Sequence, residues 1–223
     1  YEQAVQATVE QVLCSRAGLP LRRALLRASN HIAAAGARNA LAQTTLRLTV
    51  PGVPDLYQGT EGWDLSLVDP DNRRPVDYAQ RQQWLTLRRD WHALLRSWRD
   101  GAVKARLTAV LLQLRAAHPA LFAQGDYQPL NVATGTQAQV IAFRRQHRGQ
   151  ALIVAVTRLG AGEQASGELP LLVPPAEWGN AALAVPDGAY RNVLDGSTLQ
   201  PQRGRLALST LFARSPVAVS YTH

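Results

Sequence analysis

The chain has 223 residues, 46% of them hydrophobic, enough for one large domain or two small ones with a buried core. Its net charge of +8 is almost wholly arginine, with Lys104 the only lysine, and is spread along the chain without the interleaved aromatics of a nucleic-acid binder. No apolar run nears the roughly 18 residues that cross a bilayer, no basic-then-apolar leader opens the chain, and a single cysteine excludes an internal disulfide and fits a reducing cytoplasm.

The chain contains no methionine and opens inside a helical repeat at Tyr1, so a piece of a longer protein is expected. Val5, Val9, Val12 and Leu13 recur at helical spacing until Gly18 and Pro20 break the run. Cys14 lies in this helix, where a buried, inert thiol is expected. Leu21, Leu25, Leu26 and Ile32 predict a second helix that stops near Gly36, and Leu41, Leu46 and Leu48 a third over 37–50. Residues 55–58 read as a short buried strand that runs into a loop over 61–77, too polar and too rich in turn residues for regular structure. Helix returns over 78–99, with Trp84, Leu87, Trp91, Leu94, Leu95 and Trp98 as one apolar stripe. The seven-residue spacing of Trp84, Trp91 and Trp98 predicts helix packing, not a ladder for sugars. After Gly101 a further helix covers 103–118 and ends at Pro119.

Near residue 125 the period changes. Short strands are expected over 126–132, 139–145, 151–157, 169–173, 181–185, 190–194, 205–211 and 217–221, an all-β module of antiparallel type. His31, His92, His118, His147 and His223 are isolated, without a second metal ligand at helical or hairpin spacing. No phosphate loop, nucleophile elbow or serine triad is present, and no cofactor is expected.

The richest chemistry lies between 51 and 77. Arginine forks, carboxylates, and tyrosine and glutamine side chains crowd into under thirty residues, the donor and acceptor set that holds a polyhydroxylated ligand. As plain local structure, 69–74 reads as an internally salt-bridged surface turn, and Trp63 as a loop anchor or a sugar platform.

PGVPDLYQGTE at 51–61 resembles the segment after the eighth barrel strand of the α-amylase superfamily, and WDLSLVDPDNRRPVDY at 63–78 is similar to its maltooligosyl trehalose synthase family. HPALF at 118–122 and GDY at 125–127 resemble that family's passage into its last domain. The resemblance extends over most of the chain and is specific over about 36–130. It implies the last strand and flanking helices of a (β/α)8 barrel over 1–122, then a C-terminal antiparallel β-sandwich over 123–223.

The implied activity is intramolecular transglucosylation, in which the reducing-end α-1,4 bond of a maltooligosaccharide becomes an α,α-1,1 bond. The catalytic carboxylates of this superfamily follow barrel strands four, five and seven, so none is assigned in this chain. Asn30-His31 lacks the aspartate of the superfamily's Asn-His-Asp and is read as structural. Substrate contacts are expected from Tyr57, Gln58, Glu61, Asp64, Asp69, Asp71, Arg73 and Arg74. The implied partners are a maltooligosaccharide and the rest of the same enzyme, with neither nucleic acid nor membrane. Another superfamily hydrolase or glucanotransferase, or a non-catalytic carbohydrate-binding module, are the alternatives.

Overall fold

The computed structural model describes residues 1–133, 139–158 and 170–222. The chain divides into two compact units, 1–36 and 37–223.

In the first unit, α1 (Glu2–Cys14) buries none of its residues, so Cys14 is exposed rather than buried as expected. Arg22 reaches back from the next helix and donates through Nη1 to the carbonyls of Val12, Leu13 and Ser15 at 3.2, 2.9 and 2.8 Å. These include acceptors that a helix C-terminus leaves without partners. The turn demands Gly18, where a Cβ would fall 1.8 Å from the Val12 carbonyl oxygen.

Helix α2 (Leu19–Thr49) begins with Pro20 in its first turn, where a missing N–H costs nothing. It runs through Gly36 without the expected stop. A mid-helix glycine costs about 1 kcal/mol relative to alanine. The face that follows, Ala37, Leu41, Ala42 and Leu48, is buried and outweighs that cost.

In the second unit the strand expected over 55–58 does not form. Those residues have no strand partner among the described residues, and Asp55, Tyr57 and Gln58 are exposed. A lone strand leaves its backbone groups unpaired. The loop holds one 3₁₀ turn, Asp71–Arg73. The helix expected over 78–99 is broken into α3 (Tyr78–Thr86), α4 (Trp91–Arg96) and a 3₁₀ turn, Trp98–Asp100. The Asp90 cap marks the break, accepting from Ala93 N at 2.7 Å to start α4, as Asp77 accepts from Gln80 N at 2.9 Å at the start of α3. The stripe survives the break, with Trp91, Leu94, Leu95 and Trp98 buried. Gly101, at φ 84°, turns the chain into α5 (Ala102–Ala117). Pro119 opens the short helix α6 (Pro119–Gln124) and so is a start as well as a stop.

Two antiparallel sheets follow. The expected strand over 126–132 is split into β1 (Gln128–Pro129) and β2 (Val132–Ala133), which join different sheets. β3 (Val140–His147), β4 (Gln150–Thr157), β5 (Ala182–Ala184), β6 (Tyr190–Asn192), β7 (Thr198–Leu199), β8 (Arg205–Ala207) and β9 (Val217–Thr222) complete them in the orders β1-β3-β4-β9-β6-β7 and β2-β5-β8. The expected strand over 169–173 begins at Leu169, outside the described residues. Leu171 and Val173 are buried but lie in a turn and coil. Between them and β5 sits α7 (Pro175–Trp178), and 208–211, expected as strand, form α8 (Leu208–Leu211). His223 also lies outside the described residues.

The register explains why 151–157 is apolar without alternation. Ala142, Ala155 and Ala218 pair across β3, β4 and β9 and join a core with Val132, Leu183 and Leu206 of the second sheet. Phe143, Val154 and Val219 pair on the opposite face and are equally buried. Tyr127 covers Phe143 there at 4.9 Å between ring centroids, and His118 lies 4.3 Å from Tyr221. Among the described residues no helix is long and apolar enough to cross a membrane.

Candidate functional site

The polar loop leaves from the end of α2, which arginines from two other elements hold. Arg115 of α5 donates to the carbonyls of Leu48 and Gly52, both at 3.0 Å. Arg145 of β3 is 1% exposed and donates to the carbonyls of Thr49 (3.4 Å), Phe122 (3.0 Å), Gly125 (2.9 Å) and Asp126 (3.2 Å). A cation belongs at a helix C-terminus, where carbonyl dipoles point outward unpaired. Burial lowers the pKa of both guanidinium groups, and the charge of Arg115 lowers that of Arg145 further, against Asp126. Both still stay protonated.

Beyond that anchor the loop folds over α3 and α5. Gly59 adopts φ 87°, and its carbonyl accepts from Arg81 Nη2 at 2.7 Å. Arg81 Nε also reaches Glu61 Oε2 at 3.4 Å, and its guanidinium lies 5.5 Å from the Trp84 ring centroid. The Gly62 carbonyl accepts from Lys104 Nζ at 2.9 Å, while Trp63 Nε1 donates to the Trp98 carbonyl at 2.6 Å. Trp63 is therefore an anchor of the loop base, one of the two roles its sequence context allows. Burial depresses the Lys104 ammonium below its usual range, aided by Arg47 and opposed by Asp64 and Glu61.

Above this base opens a cleft of about 370 Å³, lined in part by Gln58, Trp63, Asp64, Asp71, Arg74 and Arg81. The expected contacts divide on this surface. Gln58, Asp64, Asp71 and Arg74 line the cleft together; Tyr57, Glu61, Asp69 and Arg73 are not among its lining residues. Gln58 Oε1 accepts from the Tyr78 hydroxyl at 3.1 Å. Asp64 Oδ1 accepts from the Ser66 hydroxyl at 2.6 Å and its backbone N at 3.0 Å, bonds that hold its carboxyl below the usual range. Asp71 pairs with Arg74 and accepts from Leu67 N at 2.7 Å. Asp69 and Arg73 pair with each other at 2.8 Å, both side chains more than half exposed. Glu61 pairs with Arg81, and Tyr57 is 45% exposed.

Sequence reasoning misses Arg81 and Lys104. The first has a weak signal, one turn into a helix that Asp77 caps, while the second is separated from Gly62 by 42 positions and has none. Among the described residues no group of three or more His, Cys, Asp or Glu can hold a metal.

No family model matches the chain. A curated relative from Mycobacterium tuberculosis, named as a maltooligosyl trehalose synthase, is 39% identical over 200 residues, which is 90% of this chain and 22% of the relative. The solved maltooligosyltrehalose synthase of Arthrobacter ramosus is 33% identical at a TM-score of 0.74, covering 99% of this chain and 26% of its own. A Sulfolobus tokodaii structure titled as a hypothetical synthase of the same kind is 24% identical with a TM-score of 0.63 over 100% of this chain and 25% of its own, a likeness of fold. The chain thus spans about a fifth to a quarter of the length of these relatives.

Antiparallel sheets preceded by helices, on a fold shared over 99% of the chain with a solved synthase, define a part of a maltooligosyl trehalose synthase-like protein. The chain belongs to the maltooligosyl trehalose synthase family and corresponds to a C-terminal part of those enzymes.

Proposed function

We propose that this chain is part of a cytoplasmic isomerase of trehalose biosynthesis, which converts the reducing-end α-1,4 bond of a maltooligosaccharide into an α,α-1,1 bond. The observation that carries the reading is the 39% identity to a relative of that name over 90% of the chain. In this reading 1–122 complete a (β/α)8 barrel and 123–223 form its C-terminal β-sandwich. The change from helices to strands between Gln124 and Gln128 supports that division. The rest of the enzyme is the partner that carries the carboxylate nucleophile and acid/base, a retaining pair about 5 Å apart.

The loop's task is then to hold a released glucose while it turns and attacks through its own anomeric hydroxyl. That requires a cleft that grips hydroxyls and keeps water from the same position. Asp71 and Arg74 supply charge-assisted bonds in the cleft, Gln58 and Asp64 neutral and anionic acceptors beside them. Tyr57 offers an exposed ring to stack on a sugar, while Glu61, Asp69 and Arg73, outside the cleft's lining, serve as outer contacts.

The test uses the full-length enzyme with maltopentaose, following reducing ends and free glucose in one tube. Reducing ends should fall without matching glucose. Arg74→Ala should raise the glucose share by about tenfold, the cost of one lost charge-assisted bond, and Arg73→Ala by less. Glucose as the sole product of the unaltered enzyme would refute the isomerase reading; unchanged partitioning in Arg74→Ala would remove the cleft from it.

A further inference from the structure

The two ends of the polar loop meet on one side chain. Arg81 Nη2 donates to the Gly59 carbonyl at 2.7 Å and Nη1 to the Asp77 carbonyl at 3.1 Å, 22 and four positions back along the chain. Its Nε faces Glu61 Oε2 at 3.4 Å, its guanidinium lies 5.5 Å from the Trp84 ring centroid, and the side chain is only 20% exposed. A Cβ at Gly59 would fall 3.0 Å from Cγ2 of Val76, so the two ends pack closely beside the guanidinium. Gln58, Gly59, Val76, Asp77 and Arg81 itself all line the cleft of about 370 Å³.

Between these ends the loop has little packing of its own. Leu65, Leu67 and Val68 are exposed, and the pairs Asp69–Arg73 and Asp71–Arg74 join residues within four positions of each other. Such contacts shape the loop locally but do not fix where it sits. Its place is set at the base by Trp63 and Lys104, and at the two ends by Arg81. Tying the ends of a segment removes its freedom on folding, so that binding need not remove it again. A planar fork does this for two carbonyls at once, which an ammonium cannot do in one fixed plane. The same charge reaches the cleft's interior. The Ser66 bonds do most to keep the Asp64 carboxyl below its usual range, against burial, and the charges of Lys104 and Arg81 add to them.

We infer that Arg81 is a positioning residue, a clasp that holds the loop over the released glucose and so decides between transfer and hydrolysis. This role rests on the isomerase reading and adds to it a side chain outside the expected sugar contacts. Glucose and water compete for the same glycosyl-enzyme bond. Whichever hydroxyl attacks forms the new bond to the anomeric carbon, the carboxylate leaves, and the proton passes to the acid/base of the rest of the enzyme. A loop whose ends part lets glucose leave and water enter. Misplacement of a reacting group by about 1 Å is worth as much as 10²-fold in rate.

The test compares Arg81→Gln, Arg81→Lys and Arg106→Gln in the full-length enzyme with maltopentaose. Arg106 also donates to a carbonyl, that of Leu87 at 2.6 Å, but does not line the loop cleft, so its variant controls for lost stability. Arg81→Gln should raise the free-glucose share about tenfold and lower kcat for reducing-end loss by a similar factor, with KM within about twofold. Arg81→Lys, which keeps the charge, should move both the same way by a smaller factor, and Arg106→Gln should leave partitioning unchanged. Limited trypsin digestion gives a reading that needs no turnover. Cleavage after the exposed Arg73 should be about tenfold faster in Arg81→Gln and unchanged in Arg106→Gln. Unchanged partitioning in both Arg81 variants, or a shift as large in Arg106→Gln, would overturn the clasp and leave the isomerase reading standing. Glucose as the sole product of the unaltered enzyme would overturn both.

Discussion

Gly62→Ala tests how the base of the loop is built. Gly62 has no need of a left-handed backbone, so the effect of a methyl group there is steric alone. A Cβ would lie 2.6 and 2.7 Å from Cη2 and Cζ3 of Trp84, where carbon atoms prefer about 3.5–4.0 Å. The backbone cannot retreat without stretching the Lys104 bond to the Gly62 carbonyl, at 2.9 Å, and the Trp63 bond to Trp98, at 2.6 Å. The ring must therefore move by about 1 Å, and Arg81 stacks against it. Overpacking of this kind costs about 1–3 kcal/mol, a fall in melting temperature of roughly 2–10 °C for a chain of this size.

Urea unfolding of Gly62→Ala, Trp84→Ala and the double variant gives the coupling between the two sites. The cost of the added methyl should drop below about 0.5 kcal/mol once the ring is gone. An alanine at 62 that is tolerated with Trp84 in place, or one equally costly without it, would refute the packing argument.

Arg145→Met keeps the bulk of the side chain but leaves the carbonyls of Thr49, Phe122, Gly125 and Asp126 without their shared donor. A loss of about 3 kcal/mol is expected in urea unfolding, and Arg145→Lys, with a point charge in place of a fork, should recover only part of it. Asp64 gives the sign of a pH effect: its folded pKa is lowered from 3.8 by the Ser66 bonds. Its contribution is therefore present above that ordinary value and is lost as pH falls through the lower, folded one. The acid limb of stability should flatten in Asp64→Asn and in Ser66→Ala; limbs that superimpose on the unaltered chain would contradict this.

Much of the sheet was legible because β3, β4 and β9 carry runs of apolar and β-branched residues between turn signals, and those runs set both their existence and their length. The lost strand at 55–58 shows the limit. Its composition suits a strand, but a strand exists only with a neighbour, and none is present among the described residues. The break between α3 and α4 was hidden for the opposite reason: the apolar stripe continues across it, and only the Asp90 cap marks the interruption. In the loop, Asp71 and Arg74 announce themselves as neighbours three positions apart. The bonds that fix the loop's base join Gly62 to Lys104 and Trp63 to Trp98, across 42 and 35 positions that no local pattern spans.

The excess of arginine over lysine has a structural use that separates two kinds of arginine. Arg22, Arg81, Arg106, Arg115 and Arg145 each donate to backbone carbonyls, four of them to more than one. A fork with five donors can tie several chain segments at once, which an ammonium point charge cannot do in one fixed plane. Much of the +8 charge is thus scaffold rather than a field offered to a partner. Arg73 and Arg74 differ, since their bonds run to carboxylates within four residues, with guanidinium groups largely exposed. Surface pairs of that kind are worth about 0–1 kcal/mol, so an incoming hydroxyl can compete for either member at little cost. Of the two, Arg74 borders the cleft with its partner Asp71, which is why the partitioning test rests on Arg74 and uses Arg73 as its comparison.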